Sequence, residues 1–169
     1  MQISLRQAVS IALLIIIAVV IIAPSLPSTA VSVEITGKSI DEVDHLYITV
    51  EQLTIHQRGA RDNSGLITLI GPVMVDLAAG ASPNTITISR SLPSGQYDKA
   101  ILTLANVTIV LDGKPIFISR TQPAISAPLQ LNLGFGETAT LQLTLAYDEQ
   151  ALLDRYEFQG TLTAIELTS

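Results

Sequence analysis

The run Tyr97-Asp-Lys-Ala-Ile-Leu-Thr-Leu-Ala-Asn-Val-Thr-Ile-Val-Leu111, followed by Asp112-Gly-Lys-Pro-Ile-Phe-Ile118, decides the fold of this chain. Apolar residues occupy every second position from Ala100 to Leu104 and, after a slip of one residue, from Val107 to Leu111. A period of two is typical of a half-buried strand. Asp-Gly is a strong hairpin signal. The run therefore predicts two strands, or one long bulged strand, that turn back at Asp112 into a strand over Ile116–Ile118.

The same alternation recurs through the chain after residue 30. Val31–Thr36 and Leu46–Gln57 are predicted strands, and a change of phase near Glu51 and Gln52 predicts a β-bulge in the second. Arg120–Pro128 is predicted to be a Pro-bounded connection, and Asp148–Tyr156 one helical turn. Further strands are predicted over these segments: Leu66–Ile70, Val73–Leu77, Thr85–Ser89, Leu129–Leu133, Thr138–Tyr147 and Phe158–Leu167.

Short strands separated by frequent turns predict a mainly β fold. The arrangement expected is an antiparallel β-sandwich of immunoglobulin-like or transthyretin-like type, preceded by one apolar N-terminal α-helix. Two regions follow: residues 1–30, a helix and Pro-containing linker, and residues 31–169, one sandwich domain long enough to bury a core. The chain lacks Cys and Trp, so the antibody hallmarks are excluded while the architecture is not.

Charge and composition exclude several function classes. The 169-residue chain has 9 basic and 15 acidic side chains, and Arg6 is the only charged residue before Glu34. An acidic body without a basic stripe argues against nucleic acid as a partner. The absence of Cys excludes disulfides, a thiolate nucleophile and a lipid-bearing cysteine. With no nucleophile elbow and no phosphate-binding Gly-rich loop, neither an enzyme nor a cofactor is expected.

The segment Leu5–Ala23 is the most distinctive feature outside the strands. From Ala8 onward its only polar residue is Ser10, and Pro24 and Pro27 follow it. As a helix it would be about 28 Å long, close to the hydrocarbon thickness of a bilayer. One face would carry the residues expected to pack in an assembly or a membrane: Ala8, Ile11, Leu14, Ile15, Ala18, Val19 and Ile22.

Three interpretations of this segment remain open. It can be a secretory signal, with Arg6 as the basic region and a cut after Ala30. It can be a retained membrane anchor. It can also be the stem of a filament subunit, held in the membrane before assembly and packed against other copies afterwards. The third is the interpretation we favour, because the body offers no other distinctive functional device.

Two resemblances bear on these alternatives. Gln2-Ile3-Ser4 resembles the Gln-x-Ser start of archaeal type IV pilin-like stems, although Arg6 and Gln7 replace an acidic and an aromatic residue. The body resembles a domain-of-unknown-function family of exported archaeal and bacterial proteins, which implies an extracytoplasmic β-sandwich and no activity. The family's frequent lipid-anchor cysteine is missing, and so is its turn after the first strand. The matching stretches are Val31–Thr36, Val43–His56, Val75–Leu77, Leu92–Leu102, Val110–Gly113 and Leu143–Asp148.

Few residues of the body are candidates for chemistry. His45 and His56, eleven residues apart on one strand, would lie roughly 35 Å from each other and are expected to be separate surface histidines. Oxygen-rich turns can bind Ca²⁺, but the cluster Asp41, Glu42 and Asp44 lacks the EF-hand spacing and is expected to be a solvated turn. No metal is therefore expected.

Surface recognition is the remaining candidate property. Asn106-Val-Thr108 is an N-glycosylation sequon, and inward-facing Val107 and Ile109 would turn Asn106 outward as the acceptor. Sugar binding normally uses aromatic platforms, and only Tyr97 and the Arg155-Tyr156 pair are plausible contacts of this kind.

The sequence thus predicts a non-enzymatic cell-surface structural protein, exported through the cytoplasmic membrane to the extracellular side. Its expected partners are copies of itself through the N-terminal helix, the membrane before assembly, and host or glycan surfaces. The alternative is a secreted or membrane-anchored binding or adhesion module with a cleaved signal peptide. Sparse surface charge fits the first hypothesis, since like charges repel in a tight array.

Overall fold

The computed structural model describes residues 29–37, 40, 43–61, 64–77 and 90–167. The predicted N-terminal helix with its assembly residues and the predicted strand Thr85–Ser89 lie outside these ranges. Within them, no helix is long and apolar enough to cross a bilayer. The described chain is mainly β, in two mixed and open sheets.

The described elements are eleven strands and one short helix, numbered in chain order. The helix α1 (Glu149–Asp154) confirms the predicted helical turn and begins at Asp148, whose carboxylate accepts a hydrogen bond from Ala151 N at 3.1 Å. The strands are β1 (Thr29–Gly37), β2 (His45–Gln57), β3 (Leu66–Ile70), β4 (Val73–Asp76), β5 (Arg90–Leu92), β6 (Gly95–Leu111), β7 (Lys114–Arg120), β8 (Ala124–Leu133), β9 (Thr138–Tyr147), β10 (Glu157–Phe158) and β11 (Gly160–Leu167).

The first sheet has the strand order β11-β9-β1-β5 and corrects the prediction of an antiparallel sandwich. Strand β1 runs parallel to β9, from the pair Ala30 and Thr138 to the pair Gly37 and Leu145. An alternation of period two shows which face of the sheet a residue occupies, but not whether the neighbouring strand runs parallel or antiparallel. Because β1 and β9 are far apart in sequence, no hairpin turn constrains their relative direction.

The second sheet is built around β2 and β6. Strand β6 pairs antiparallel with β2 on one edge, and its other edge pairs with β8 in the first half and β7 in the second. It is one long bulged strand, the second of the two predicted alternatives. The hairpin at Asp112 and Gly113 is confirmed, with φ angles of 49° and 72° that a type I′ turn requires.

The predicted β-bulge in β2 is also confirmed. The register between β2 and β6 shifts between Val50 and Gln52, so that Glu51 has no partner and points to solvent. Val50 and Leu53 are both buried although they are an odd number of positions, three, apart. The bulge is what lets a strand with two hydrophobic phases keep both of them in the core.

Two predicted boundaries are wrong. The connection predicted over Arg120–Pro128 is shorter, because β8 already begins at Ala124 and contains Pro128. Proline is accommodated there because, among the described strands, β8 pairs only with β6. The closing strand predicted over Phe158–Leu167 is divided: β10 pairs with β7 in the second sheet, and β11 pairs with β9 in the first.

One hydrophobic core lies between the two sheets. The first sheet contributes the inward faces of β1 and β9, and the second those of β2, β6 and β8. Among the residues that the structure describes, those predicted from alternation to face inward are buried, except that Leu111 is only partly so. They include Val33, Ile35, Leu46, Ile48, Leu102, Ile109, Leu131, Leu141 and Leu143. Burial on this scale supplies the main stabilisation of a chain without disulfides.

Candidate functional site

The two histidines lie at different positions along β2, as predicted, and each contacts a different carboxylate. His45, at the start of β2, places Nδ1 2.6 Å from Asp76 Oδ2, and its ring stacks on Tyr47 with centroids 5.2 Å apart. Asp76 also accepts a hydrogen bond from Leu46 N at 3.1 Å. This carboxylate therefore joins the end of β4 to the start of β2, which is a structural role.

His56 is not a surface histidine, and that prediction is wrong. Its side chain is 12% exposed, its Nδ1 lies 2.8 Å from Asp98 Oδ1, and its Nε2 is buried without a hydrogen-bond partner. The loop over residues 58–65 causes the burial, since Gln57 N donates to Gly65 O and brings Gly65 against the imidazole. Strand alternation cannot reveal a loop that folds back over a side chain.

The pair of His56 and Asp98 should make the folding stability of the domain decrease at acidic pH. The hydrogen bond from His56 lowers the pKa of the Asp98 carboxyl below its usual value, against a smaller opposing effect of burial. A lowered folded-state pKa means stability that is present above the unfolded pKa, about 4, and is lost as pH falls through the folded value. We expect the Tm difference between wild type and Asp98→Asn to be present at about pH 5 and to shrink below about pH 4.

Thermal melts across the pH range measure this effect. The control is His56→Leu, which keeps side-chain bulk but removes the hydrogen-bond donor. It should remove the same pH-dependent part of the Tm as Asp98→Asn does. A Tm gap that persists unchanged at the lowest pH would show that the ionised carboxylate contributes nothing through this pair.

The predicted acidic turn has a structural use in its described part. Asp44 accepts a hydrogen bond from Gly113 N at 2.9 Å and so holds the β6–β7 hairpin against the start of β2. Asp41 and Glu42 lie outside the described residues. Among the residues that the structure describes, no cluster of three or more His, Asp or Glu side chains could hold a metal ion.

Asn106 points outward from the second sheet, as predicted. It is exposed and pairs with Thr49, while its neighbour Val107 is buried. The same outer face exposes Met74 and Phe117, the latter to 80%. Sequence reasoning missed this apolar face. The signal was the uninterrupted run Ile116-Phe117-Ile118, because a strand buried on one face must expose the middle residue of such a run.

The aromatic contacts expected for sugars are only partly available. Tyr97 is buried, its hydroxyl donates to Pro93 O at 2.7 Å, and burial raises its pKa, so its prediction as a surface contact is wrong. Tyr156 is exposed, and Arg155 Nε lies 3.6 Å from Glu157. One exposed tyrosine does not form the aromatic platform that sugar binding requires.

The end of the sandwich at which β1 begins, here called the Thr29 end, gathers three connections. Thr29 pairs with Leu92, so the turn over residues 93–94 lies beside it. Ala30 N donates to Glu137 O at 3.1 Å, which brings in the turn over residues 134–137. The loop over residues 58–65 is adjacent, since Arg58 N donates to Gln96 O at 2.8 Å. The predicted assembly segment precedes Thr29, so it joins the sandwich at this end.

The turn over residues 134–137 presents Phe135 to solvent. Phe135 is 64% exposed and lies between Gly134, whose N–H donates to the Glu137 carboxylate at 2.6 Å, and Gly136, whose φ is 75°. These contacts hold the turn closed without placing the phenyl ring in the core. The predicted assembly residues themselves, Ala8 to Ile22, lie outside the described residues.

Comparison with known proteins places the chain in a family without an assigned activity. No curated protein matches the sequence. Among solved structures, the chain is similar to the NMR structure of a protein from Eubacterium rectale, with 10% identity, a TM-score of 0.33, and coverage of 85% of this chain and 91% of that one. The expected membership in a domain-of-unknown-function family is confirmed: residues 28–153 match, and the chain belongs to the family described as a domain of unknown function, DUF4382.

Proposed function

We propose that this protein is a non-enzymatic, pilin-like structural protein of the cell surface. In this proposal the chain is exported, Leu5–Ala23 is held in the membrane and then packs against the same segment of other copies, and the sandwich forms the outer part of the assembly. The observation that carries the proposal is the position of β1. The strand that continues from this segment is an inner strand of the first sheet, between β9 and β5.

This position suits a domain that is pulled through its N-terminal segment. Eight consecutive residues of β1 pair with β9, and Val31, Val33 and Ile35 are buried in the core. A force applied at Thr29 along the strand loads these hydrogen bonds together rather than one after another. A domain attached through an edge strand without core residues would instead peel apart stepwise. The attachment point is therefore part of the folded core of the sandwich.

We also infer that the sandwich is of immunoglobulin-like or transthyretin-like type, with its two parallel pairings as variations. The hydroxyl of Tyr97 donates to the carbonyl of Pro93, four residues upstream at the start of a long strand. This contact is similar to the tyrosine corner of immunoglobulin-like domains. A glycan on Asn106 would project from the outer face of the second sheet and leave the Thr29 end free.

The test is Ile16→Asp in the full-length chain. A carboxylate in the middle of the apolar segment is costly both in a bilayer and in a packed helical core. We expect surface assemblies that pellet from the wild-type strain to be lost, while the Tm of the sandwich is unchanged. Ile16→Leu is the matched control and should assemble. Wild-type protein that accumulates outside the cell as a soluble monomer would contradict the proposal.

A second candidate, a secreted or anchored binding module, is favoured by the exposed apolar face around Phe117 and Met74. N-terminal sequencing of the extracellular protein separates the two. A mature start at Val31 supports the secreted module and removes the assembly segment. A start at or near Met1 in fibrous material supports the structural protein.

A further inference from the structure

We propose that the Thr29 end of the sandwich docks on an anionic lipid surface, with Phe135 inserted among the headgroups and nearby arginines on the phosphates. This inference rests on the membrane-held stage of the proposed function and adds a specific orientation to it. It concerns the subunit before assembly, when the apolar segment lies in the bilayer.

Chain length brings this end close to the membrane. Only residues 24–28 separate Ala23, the last residue of the apolar segment, from Thr29. A linker this short reaches at most about 20 Å even when fully extended. With Leu5–Ala23 in the bilayer, the turn carrying Phe135 therefore lies within reach of the headgroups.

Phe135 is exposed on a closed turn and is therefore available for contact with a surface outside the domain. It is one of the most exposed large apolar residues of the described chain, and it lies on the turn hydrogen-bonded to Ala30. The rigid geometry of the turn lowers the entropy that an inserted side chain must lose. Aromatic side chains beside basic groups are typical of protein segments that lie in the membrane interface.

The Thr29 end carries bases and acids in equal number, so it is less acidic than the chain as a whole. In a chain of net charge −6, exposed Arg58 and Arg61 lie in the loop over residues 58–65, and exposed Arg90 pairs with Val31. Of the acidic groups here, Asp98 accepts a hydrogen bond from His56 and Glu137 from Gly134 N, while Asp62 follows Arg61 in the sequence.

The opposite end, around the β6–β7 hairpin, is acidic. Asp44, Asp76 and Asp112 lie there with Lys114 as the nearby base. An anionic surface therefore repels the hairpin end more strongly than the Thr29 end, where the exposed arginines are available to the lipid phosphates. Basic side chains within a Debye length of anionic lipid each contribute about a fivefold preference.

The absence of tryptophan from the chain makes a direct test available. Full-length Phe135→Trp is reconstituted into vesicles of phosphatidylcholine with about one third phosphatidylglycerol, with and without brominated acyl chains. We expect blue-shifted emission and strong quenching by the brominated lipid. Phe117→Trp is the matched control, since Phe117 is also exposed but lies on the outer face of the second sheet, and it should be unquenched.

A charge variant separates lipid attraction from simple proximity. Replacing Arg58, Arg61 and Arg90 by Gln should reduce quenching of the residue-135 tryptophan several-fold, as should high salt or vesicles without phosphatidylglycerol. If Phe135→Trp with all three arginines intact floats with the vesicles but its tryptophan is not quenched, the docking inference alone is overturned. Protein that does not float would overturn both the inference and the membrane-held stage beneath it. A blue shift without quenching would show that a second copy covers Phe135, and would also overturn the proposal.

Discussion

Leu141→Ala should lower the free energy of unfolding by about 2–5 kcal/mol. Leu141 is 0% exposed and lies at the middle of β9, where it pairs with Val33 on one side and Glu166 on the other. Truncation removes buried methyl groups and leaves a cavity between the sheets that an interior strand cannot easily close. A loss of this size is a large part of the stability of a typical single domain.

Urea unfolding followed by circular dichroism measures this loss. Leu167→Ala makes the same chemical change at a side chain that is 40% exposed on β11, and it should cost about 1 kcal/mol or less. The m-value should be unchanged in both variants, because neither alters the surface exposed on unfolding. Equal losses in the two variants would mean that the core does not lie between the two sheets as described.

Gly160→Ala should destabilise the domain by about 1–3 kcal/mol, although alanine is normally tolerated in strands. Gly160 lies where the chain passes from β10 in the second sheet to β11 in the first. A Cβ at this position would lie 2.8 Å from the ring of Phe158 and 2.9 Å from Cδ1 of Ile125. Both neighbours are buried, so neither can move away without disturbing the core.

A double-mutant cycle tests the contact itself. Ile125→Val removes the Cδ1 atom that the new methyl group would meet, so Gly160→Ala should cost less in that background. Gly71→Ala is the control for the chemical change alone, because a Cβ there meets no atom within 4 Å. If the two glycine variants lose the same stability, close packing at the crossing is not the reason for Gly160.

The described fold is predictable from sequence wherever the signal is local. The phase slip at Glu51, the Asp112-Gly113 hairpin and the helical turn that follows Asp148 each depend on residues within a few positions of one another. Their geometry is therefore almost independent of the rest of the chain. The inward faces of β1, β2, β6, β8 and β9 are also predictable, since apolar residues at every second position mark the face of a strand that is buried.

The candidate sites were less predictable. The outward direction of Asn106 follows from its buried neighbour Val107, and this prediction is confirmed. The burial of His56 depends on Gly65, and the burial of Tyr97 on its position in β6, whose partners come from distant parts of the chain. The exposure of Phe135 is not predictable from the sequence, because a single aromatic residue between two glycines belongs to no periodic pattern.

The sequence by itself determined which residues are strands, which face of each strand is buried, and that an apolar segment precedes them. These properties come from side-chain chemistry at short spacing. Only the tertiary structure decided that β1 is parallel to β9, that the chain changes sheets before Gly160, and that Phe135 shares an end with the start of β1. Those relations join residues more than twenty positions apart, or depend on steric fit between sheets, and neither leaves a periodic trace in the sequence.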